Sequence, residues 1–148
     1  MVKATTLSFE FYPPQTKEGV IKLKQTAKVL NKYNPEFFSV TFGAGGSTKE
    51  RTLDTVLEIS KLGFNATPHI SCISSSKAEV KELLDKYKAQ KINHLVALRG
   101  DNPSGTMNFG ELNYANELVS FIKSEMGDTF KIDVGAYPEV HPESESAK

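Results

Sequence analysis

The chain has 148 residues with 18 Lys+Arg and 18 Asp+Glu, a formal net charge of zero. The length fits one ordinary domain and falls short of a closed eight-unit α/β barrel, which takes about 250 residues. A 39% hydrophobic and 24% charged composition excludes wholesale disorder, and a pI near 6.8 leaves no basic footprint for a nucleic-acid backbone. A single cysteine, Cys72, excludes an internal disulfide and a cysteine-based zinc site. The opening MVKATTLSFEFYPP has no apolar h-region, and no run of about 18 apolar residues occurs. A soluble cytoplasmic protein is the expectation.

Short dense apolar runs alternate with helical stripes. Thr6–Phe11 is the first run, stopped by Pro13-Pro14. Val20, Leu23, Ala27 and Leu30 then follow helical spacing. Phe37–Phe42 is the second run and ends in Gly43-Ala44-Gly45-Gly46. Ser47 and Glu50 have the spacing of a capping box ahead of Leu53, Val56 and Leu57, and Gly63 is placed to end that helix. Ala66–Cys72 is the third run, and Ser76 with Glu79 repeats the capping pattern before Val80, Leu83, Leu84 and Tyr87. His94–Leu98 leads into a Gly-, Pro- and Asn-containing stretch, Arg99–Gly110. Leu112, Ala115, Val119, Ile122 and Met126 form the fourth stripe, and Ile132–Ala136 is the last run.

The runs begin near residues 6, 37, 66, 94 and 132. That period of roughly thirty residues is the length of a βα unit, and strict alternation predicts a parallel sheet. Two architectures compete: an open five-stranded doubly wound sheet, which the length favours, and the first half of a (βα)8 TIM barrel. The polar residues favour the half-barrel. Every strand end carries one: Glu10, Thr41, His69, Asp101, and the Tyr137/His141 pair. A doubly wound sheet gathers its ligand groups at one switch point, whereas a barrel draws them from successive strand ends. The first βα turn also holds Pro-Pro in place of a glycine-rich phosphate loop.

Glu10 lies within Phe9-Glu10-Phe11-Tyr12. A carboxyl held in a strand among aromatics is costly to ionise, which predicts a raised pKa and a general acid; a strand-end glutamate that is solvated or lysine-paired is the competing reading. Gly43–Gly46 ahead of a helix reads either as an anion cradle or as a tight turn. Arg99-Gly100-Asp101 reads either as a phosphate contact with a fixed negative charge or as a salt-bridged loop. His69, His94 and His141 match no compact metal-ligand spacing, so no metal is expected. His94 is expected to be structural, and Cys72 a small buried hydrophobe.

Taken in order, Ser8-Phe9-Glu10-Phe11-Tyr12-Pro13-Pro14, Ser39-Val40-Thr41-Phe42-Gly43-Ala44-Gly45-Gly46-Ser47, Pro68-His69-Ile70-Ser71-Cys72, Leu98-Arg99-Gly100-Asp101 and Ala136-Tyr137-Pro138-Glu139-Val140-His141-Pro142 resemble the amino-terminal half of the methylenetetrahydrofolate reductase family over essentially the whole chain. The resemblance implies a flavoprotein barrel with FAD across the carboxyl ends of the strands. NADH or NADPH would reduce the FAD by hydride transfer, and the reduced flavin would convert 5,10-methylenetetrahydrofolate to 5-methyltetrahydrofolate in a ping-pong cycle. It further implies Glu10 as proton donor to folate N10 and Asp101 as an electrostatic group beside flavin and folate. Arg99, Gly100, His69, Ala115, Tyr137 and His141 would hold FAD, and Thr41, Phe42 and Ala44 would contact the flavin edge or the nicotinamide. The family barrel continues for about another half beyond His141-Pro142. Residues 1–148 are therefore expected to be a partial TIM-barrel domain, truncated on the C-terminal side, of an enzyme of one-carbon metabolism whose full-length form is a homo-oligomer. A non-catalytic, flavodoxin-like flavin-binding module is the alternative.

Overall fold

A computed structural model describes residues 6–42, 46–73, 75–101, 110–137 and 139–140. Five strands alternate with four α-helices: β1 Ser8–Phe11, α1 Lys17–Leu30, β2 Phe37–Val40, α2 Gly46–Ser60, β3 Ala66–Ser71, α3 Lys77–Ala89, β4 His94–Leu98, α4 Ala115–Met126 and β5 Lys131–Val134. A 3₁₀ turn, Asn31–Tyr33, extends α1.

The helix starts follow local chemistry. Thr16 caps α1, its hydroxyl accepting the Gly19 N–H at 3.0 Å. Ser76 and Glu79 make the reciprocal capping box expected at α3. Each such cap contributes about 1 kcal/mol by satisfying donors the helix itself cannot. The second expected box differs. α2 begins at Gly46, which puts Ser47 inside the first turn rather than at its cap.

All four strand pairings are parallel and the order is β1-β2-β3-β4-β5. A doubly wound sheet requires the order to reverse at a switch point; none occurs, so the flavodoxin-like alternative falls. Unbroken sequential order is that of a barrel wall. The core agrees. Phe38, Val40, Ile70, Leu95 and Ala97 are buried in one cluster with Leu23 and Ala27 of α1, Val56 and Ile59 of α2, Val80, Leu84 and Tyr87 of α3, and Leu118 and Ile122 of α4. Strand residues alternate between faces, and the register places all five of those sheet residues on the same face. An aromatic ladder reinforces it: the Phe38 ring lies 6.0 Å from Phe9, 5.7 Å from Phe11 and 5.7 Å from Phe64.

The opposite face is mostly polar, with Phe37, Val96 and Leu98 as its apolar members. It carries Ser8 and Glu10, Ser39, Thr67, His69 and Ser71, His94, and Lys131 with Asp133. At its amino-terminal end His94 bridges three strands. Its Nε2 lies 2.7 Å from the Asp133 carboxylate and its Nδ1 3.1 Å from the Thr67 hydroxyl, with the Phe37 ring packed edge-on at 4.7 Å. A carboxylate only accepts, so Nε2 carries the proton toward Asp133 and, in the neutral ring, Nδ1 accepts from Thr67. That fulfils the structural role expected of His94. Among the described residues no helix is long and apolar enough to cross a membrane.

Candidate active site

The carboxyl ends of β1 to β4 open into one cleft of about 380 Å³, lined by Glu10, Thr41, Phe42, Lys49, His69, Ser71, Ile73, Ser75, Leu98, Gly100 and Asp101. Six of the residues singled out from the sequence thus meet: Glu10, Thr41, Phe42, His69, Gly100 and Asp101. Period-two alternation explains the set. Glu10 pairs with Ser39 and Ser39 with Thr67, so Thr41 and His69, two residues further along, project from the same face.

The environment expected for Glu10 is corrected. Phe9 and Phe11 turn to the helix-covered face against Phe38, and the Glu10 side chain stays 50% exposed on the polar face. The aromatic surroundings expected for it are absent, because the alternation that brings Glu10 to the cleft removes its sequence neighbours from it. Its partner is His69, whose Nε2 lies 3.5 Å from Glu10 Oε2. His69 is 6% exposed, and burial lowers its pKa against the opposing pull of the Glu10 charge. The imidazole is thus neutral near neutral pH.

Thr41 is fixed through its backbone: its N–H donates to Phe11 O at 2.9 Å, and its carbonyl accepts the Thr52 hydroxyl at 2.8 Å. Asp101 is exposed at the mouth of the cleft. Gly100 has φ +84, and a Cβ there would stand 2.1 Å from Ser71 Oγ, so the turn after β4 admits only glycine.

The remaining expected residues lie apart or are not described. The Arg99 guanidinium sits over the Tyr114 ring at 5.6 Å, which places it beside Ala115 at the start of α4 and outside the cleft lining. Tyr137 follows β5 and is exposed, also outside that lining. Ala44 and His141 fall outside the described residues, as do Gly43 and Gly45 of the expected anion cradle. Cys72 is buried, and burial pushes its thiol up, in keeping with a packing role. Among the described residues no group of three or more His, Cys, Asp or Glu side chains could hold a metal ion.

Lys49, Ser71, Ile73, Ser75 and Leu98 were not anticipated as part of the site. Lys49 Nζ lies 3.2 Å from Ser75 Oγ and 5.8 Å from the Phe42 ring centroid. Ser71 could have been found, since it shares the parity of Thr67 and His69. Lys49 could not, because its place depends on how α2 leaves the sheet.

A sequentially ordered parallel sheet with a polar cleft across its carboxyl ends defines a barrel-type α/β protein with a candidate small-molecule site on its rim. The family profile described as Methylenetetrahydrofolate reductase matches residues 2–148, and the chain belongs to that family. It is 41% identical over 145 residues to the 5,10-methylenetetrahydrofolate reductase of Pectobacterium carotovorum subsp. carotovorum, covering 96% of this chain and 47% of that protein. Against the 5,10-methylenetetrahydrofolate reductase of Escherichia coli (strain K12) the identity is 41% over 143 residues, again 96% of this chain and 47% of the relative. Methylenetetrahydrofolate reductase (NADH) 1 of Arabidopsis thaliana is 36% identical over 144 residues, 94% of this chain and 24% of that protein. The chain thus spans about half the length of the bacterial relatives it matches.

Proposed function

We propose that residues 1–148 form the first half of the active site of an enzyme that reduces 5,10-methylenetetrahydrofolate to 5-methyltetrahydrofolate, with FAD as the hydride carrier and NADH or NADPH as the hydride source. The observation that carries this reading is the meeting of Glu10, Thr41, His69 and Asp101, drawn from four successive strand ends, in one cleft of a chain of this family.

The residues present fit part of an FAD. A cleft of about 380 Å³ lies at the lower end of the small-molecule range. It suits a ring system rather than a whole dinucleotide, and its lining supplies hydroxyl, imidazole, carboxylate and glycine backbone groups to a heterocycle edged with donors and acceptors. FAD, when bound, supplies the two-electron relay between nicotinamide and folate. Arg99, Ala115, Tyr137 and His141 are assigned to its outer parts, and Thr41, Phe42 and Ala44 to the flavin or nicotinamide edge.

Glu10 holds the proton that folate N10 needs when the five-membered ring opens. Its half-exposed position lets it regain that proton from solvent between turnovers. His69, neutral and 3.5 Å away, adds a polar neighbour without a compensating positive charge. Asp101 contributes a fixed negative charge that favours the cationic iminium form of the folate.

The test uses the protein expressed from its full reading frame. It is expected to carry flavin absorbance, to lose it anaerobically with NADH or NADPH, and to regain it on addition of 5,10-methylenetetrahydrofolate. A protein whose flavin is bleached but not restored by the folate would show a different acceptor. A protein that binds no flavin would refute the reading.

A further inference from the structure

The turn that carries Asp101 is held from the neighbouring strand. The Arg99 carbonyl accepts the Ser71 hydroxyl at 2.8 Å and the Ile73 N–H at 3.0 Å. The Cys72 thiol adds a longer, weaker third donor at 3.6 Å, so three consecutive residues hold this carbonyl, and the Ser71 hydroxyl makes the shortest of the three bonds. A trans peptide points its C=O and N–H in opposite directions. Fixing the Arg99 carbonyl toward β3 therefore turns the Gly100 N–H away from β3, and the chain leaves through a φ of +84 at Gly100. The fit is close: a Cβ on Gly100 would lie 2.1 Å from Ser71 Oγ and 2.9 Å from Ile73 Cγ2.

A second anchor lies further along. A Cβ on Gly110 would stand 2.5 Å from Ser75 O, and the Glu111 N–H donates to that oxygen at 3.2 Å. Glu111 Oε2 in turn accepts the Lys77 N–H, the first of α3, at 2.8 Å. Residues 100 and 110–111 thus both seat on the stretch from Ser71 to Lys77. Among the described residues of that platform, the Ser71 hydroxyl makes the short side-chain bond to the Arg99–Gly100 peptide, and the Cys72 thiol makes a longer one. Ser71 is 7% exposed and lines the same cleft as His69 and Asp101.

We propose that Ser71 is a positioning residue for Asp101: its hydroxyl sets the orientation of the Arg99–Gly100 peptide and thereby the place of the Asp101 carboxylate in the cleft. This rests on the reading of Asp101 as the charge beside the flavin. A hydroxyl suits the task because it reaches the carbonyl while leaving the space that Gly100 occupies. Alanine keeps the space and loses the bond; threonine keeps the bond.

The experiment compares Ser71→Ala, Ser71→Thr, Asp101→Asn and the Ser71→Ala/Asp101→Asn double variant in the protein expressed from its full reading frame. Two quantities are read: the flavin midpoint potential, and the hydrogen exchange of the Ile73 amide in flavin-free protein. Ser71→Ala is expected to raise the potential in the same direction as Asp101→Asn, and the double variant to add nothing beyond Asp101→Asn alone. Ser71→Thr is expected to match the parent. In flavin-free protein, Ser71→Ala is expected to speed Ile73 exchange several-fold, with threonine restoring it. A parental potential in Ser71→Ala while Asp101→Asn shifts it overturns the proposal. So does full additivity of the two shifts, or a loss of flavin affinity with no change of potential. If Asp101→Asn itself leaves the potential unchanged, the placement of Asp101 beside the flavin is wrong. Ile73 exchange then stands alone, and parental exchange in Ser71→Ala refutes the pinning of the peptide.

Discussion

Glu10 and His69 stand on strands that do not pair, and their side chains meet across β2 at 3.5 Å. Two strand spacings separate β1 from β3, about 9.6 Å; Ser39, 5% exposed, is in register with Glu10 and with Thr67, and His69 lies two residues further along β3 on the same face. The contact is therefore diagonal, from Glu10 on β1 to a residue two places beyond its register position on β3. The acidic group assigned to proton transfer is thereby tied to a buried imidazole on the third strand.

Glu10→Gln tests that assignment. In the protein expressed from its full reading frame the variant is expected to lose folate reduction by about 10²- to 10⁴-fold, the usual contribution of a general acid. Flavin reduction by NADH or NADPH is expected to persist. Stopped-flow measurement of the two half-reactions separates them, and equal loss of both would remove Glu10 from the proton-donor role.

Asp101→Asn is expected to raise the flavin reduction potential, because removing a nearby negative charge makes the site less hostile to added electrons. Equilibrium titration against a reference dye reads the shift. An unchanged potential places Asp101 away from the ring.

Buried His69 gives the fold a pH dependence. Burial sets its folded pKa below the ordinary 6.5, so between the folded value and 6.5 the unfolded chain binds a proton that the folded chain does not. Stability is then full above about 6.5 and falls as the pH drops through that window, levelling once the folded imidazole also protonates. Urea midpoints measured across this range are expected to decline on acidification and to flatten in His69→Gln. Glu58 acts in a separate, more acid window. Lys24 first, then Lys61, hold its carboxyl at about 2 against an ordinary 4.5, so the link it makes between α1 and α2 is lost only as the pH falls from 4.5 toward that value.

Two substitutions far from the cleft have opposite expected signs. His94→Ala removes the bridge among Thr67, His94 and Asp133 and is expected to cost about 2 kcal/mol of stability. Tyr87 is fully buried, its hydroxyl has no hydrogen-bond partner among the described residues, and burial pushes its phenol well up. Tyr87→Phe is expected to be neutral or to stabilise by about 1 kcal/mol, since it removes a polar group that burial leaves unpaid by any bond. Chemical denaturation of the two variants against the parent reads both effects.

Much of the fold is written locally. The capping box at Ser76 and Glu79 and the spacing of Val80, Leu84 and Tyr87 specify α3 without reference to the rest of the chain. The dense run from His94 to Leu98 coincides with β4. The strand-end placement of Glu10, Thr41, His69 and Asp101 is equally legible, because strand position follows from apolar run length and face follows from parity. The fourth stripe shows the limit. Leu118, fully buried on α4, is not among the residues the spacing picks out, while Val119 beside it is only partly buried. Where α4 turns its face depends on the strands it meets.

The sequence by itself determined the βα repeat, the polar strand ends and the family pattern, since each arises from residues near one another along the chain. Only the tertiary structure decided which way the sheet is wound and what surrounds each polar group. Sequential strand order removes the doubly wound alternative, and local periodicity is blind to strand order. Glu10 is solvated and faces His69 rather than being desolvated by Phe9 and Phe11. Arg99 turns its side chain to Tyr114 while its carbonyl binds Ser71. Those partners lie up to 59 residues away in sequence for Glu10 and 28 for Arg99, and only strand register brings them within a few ångströms.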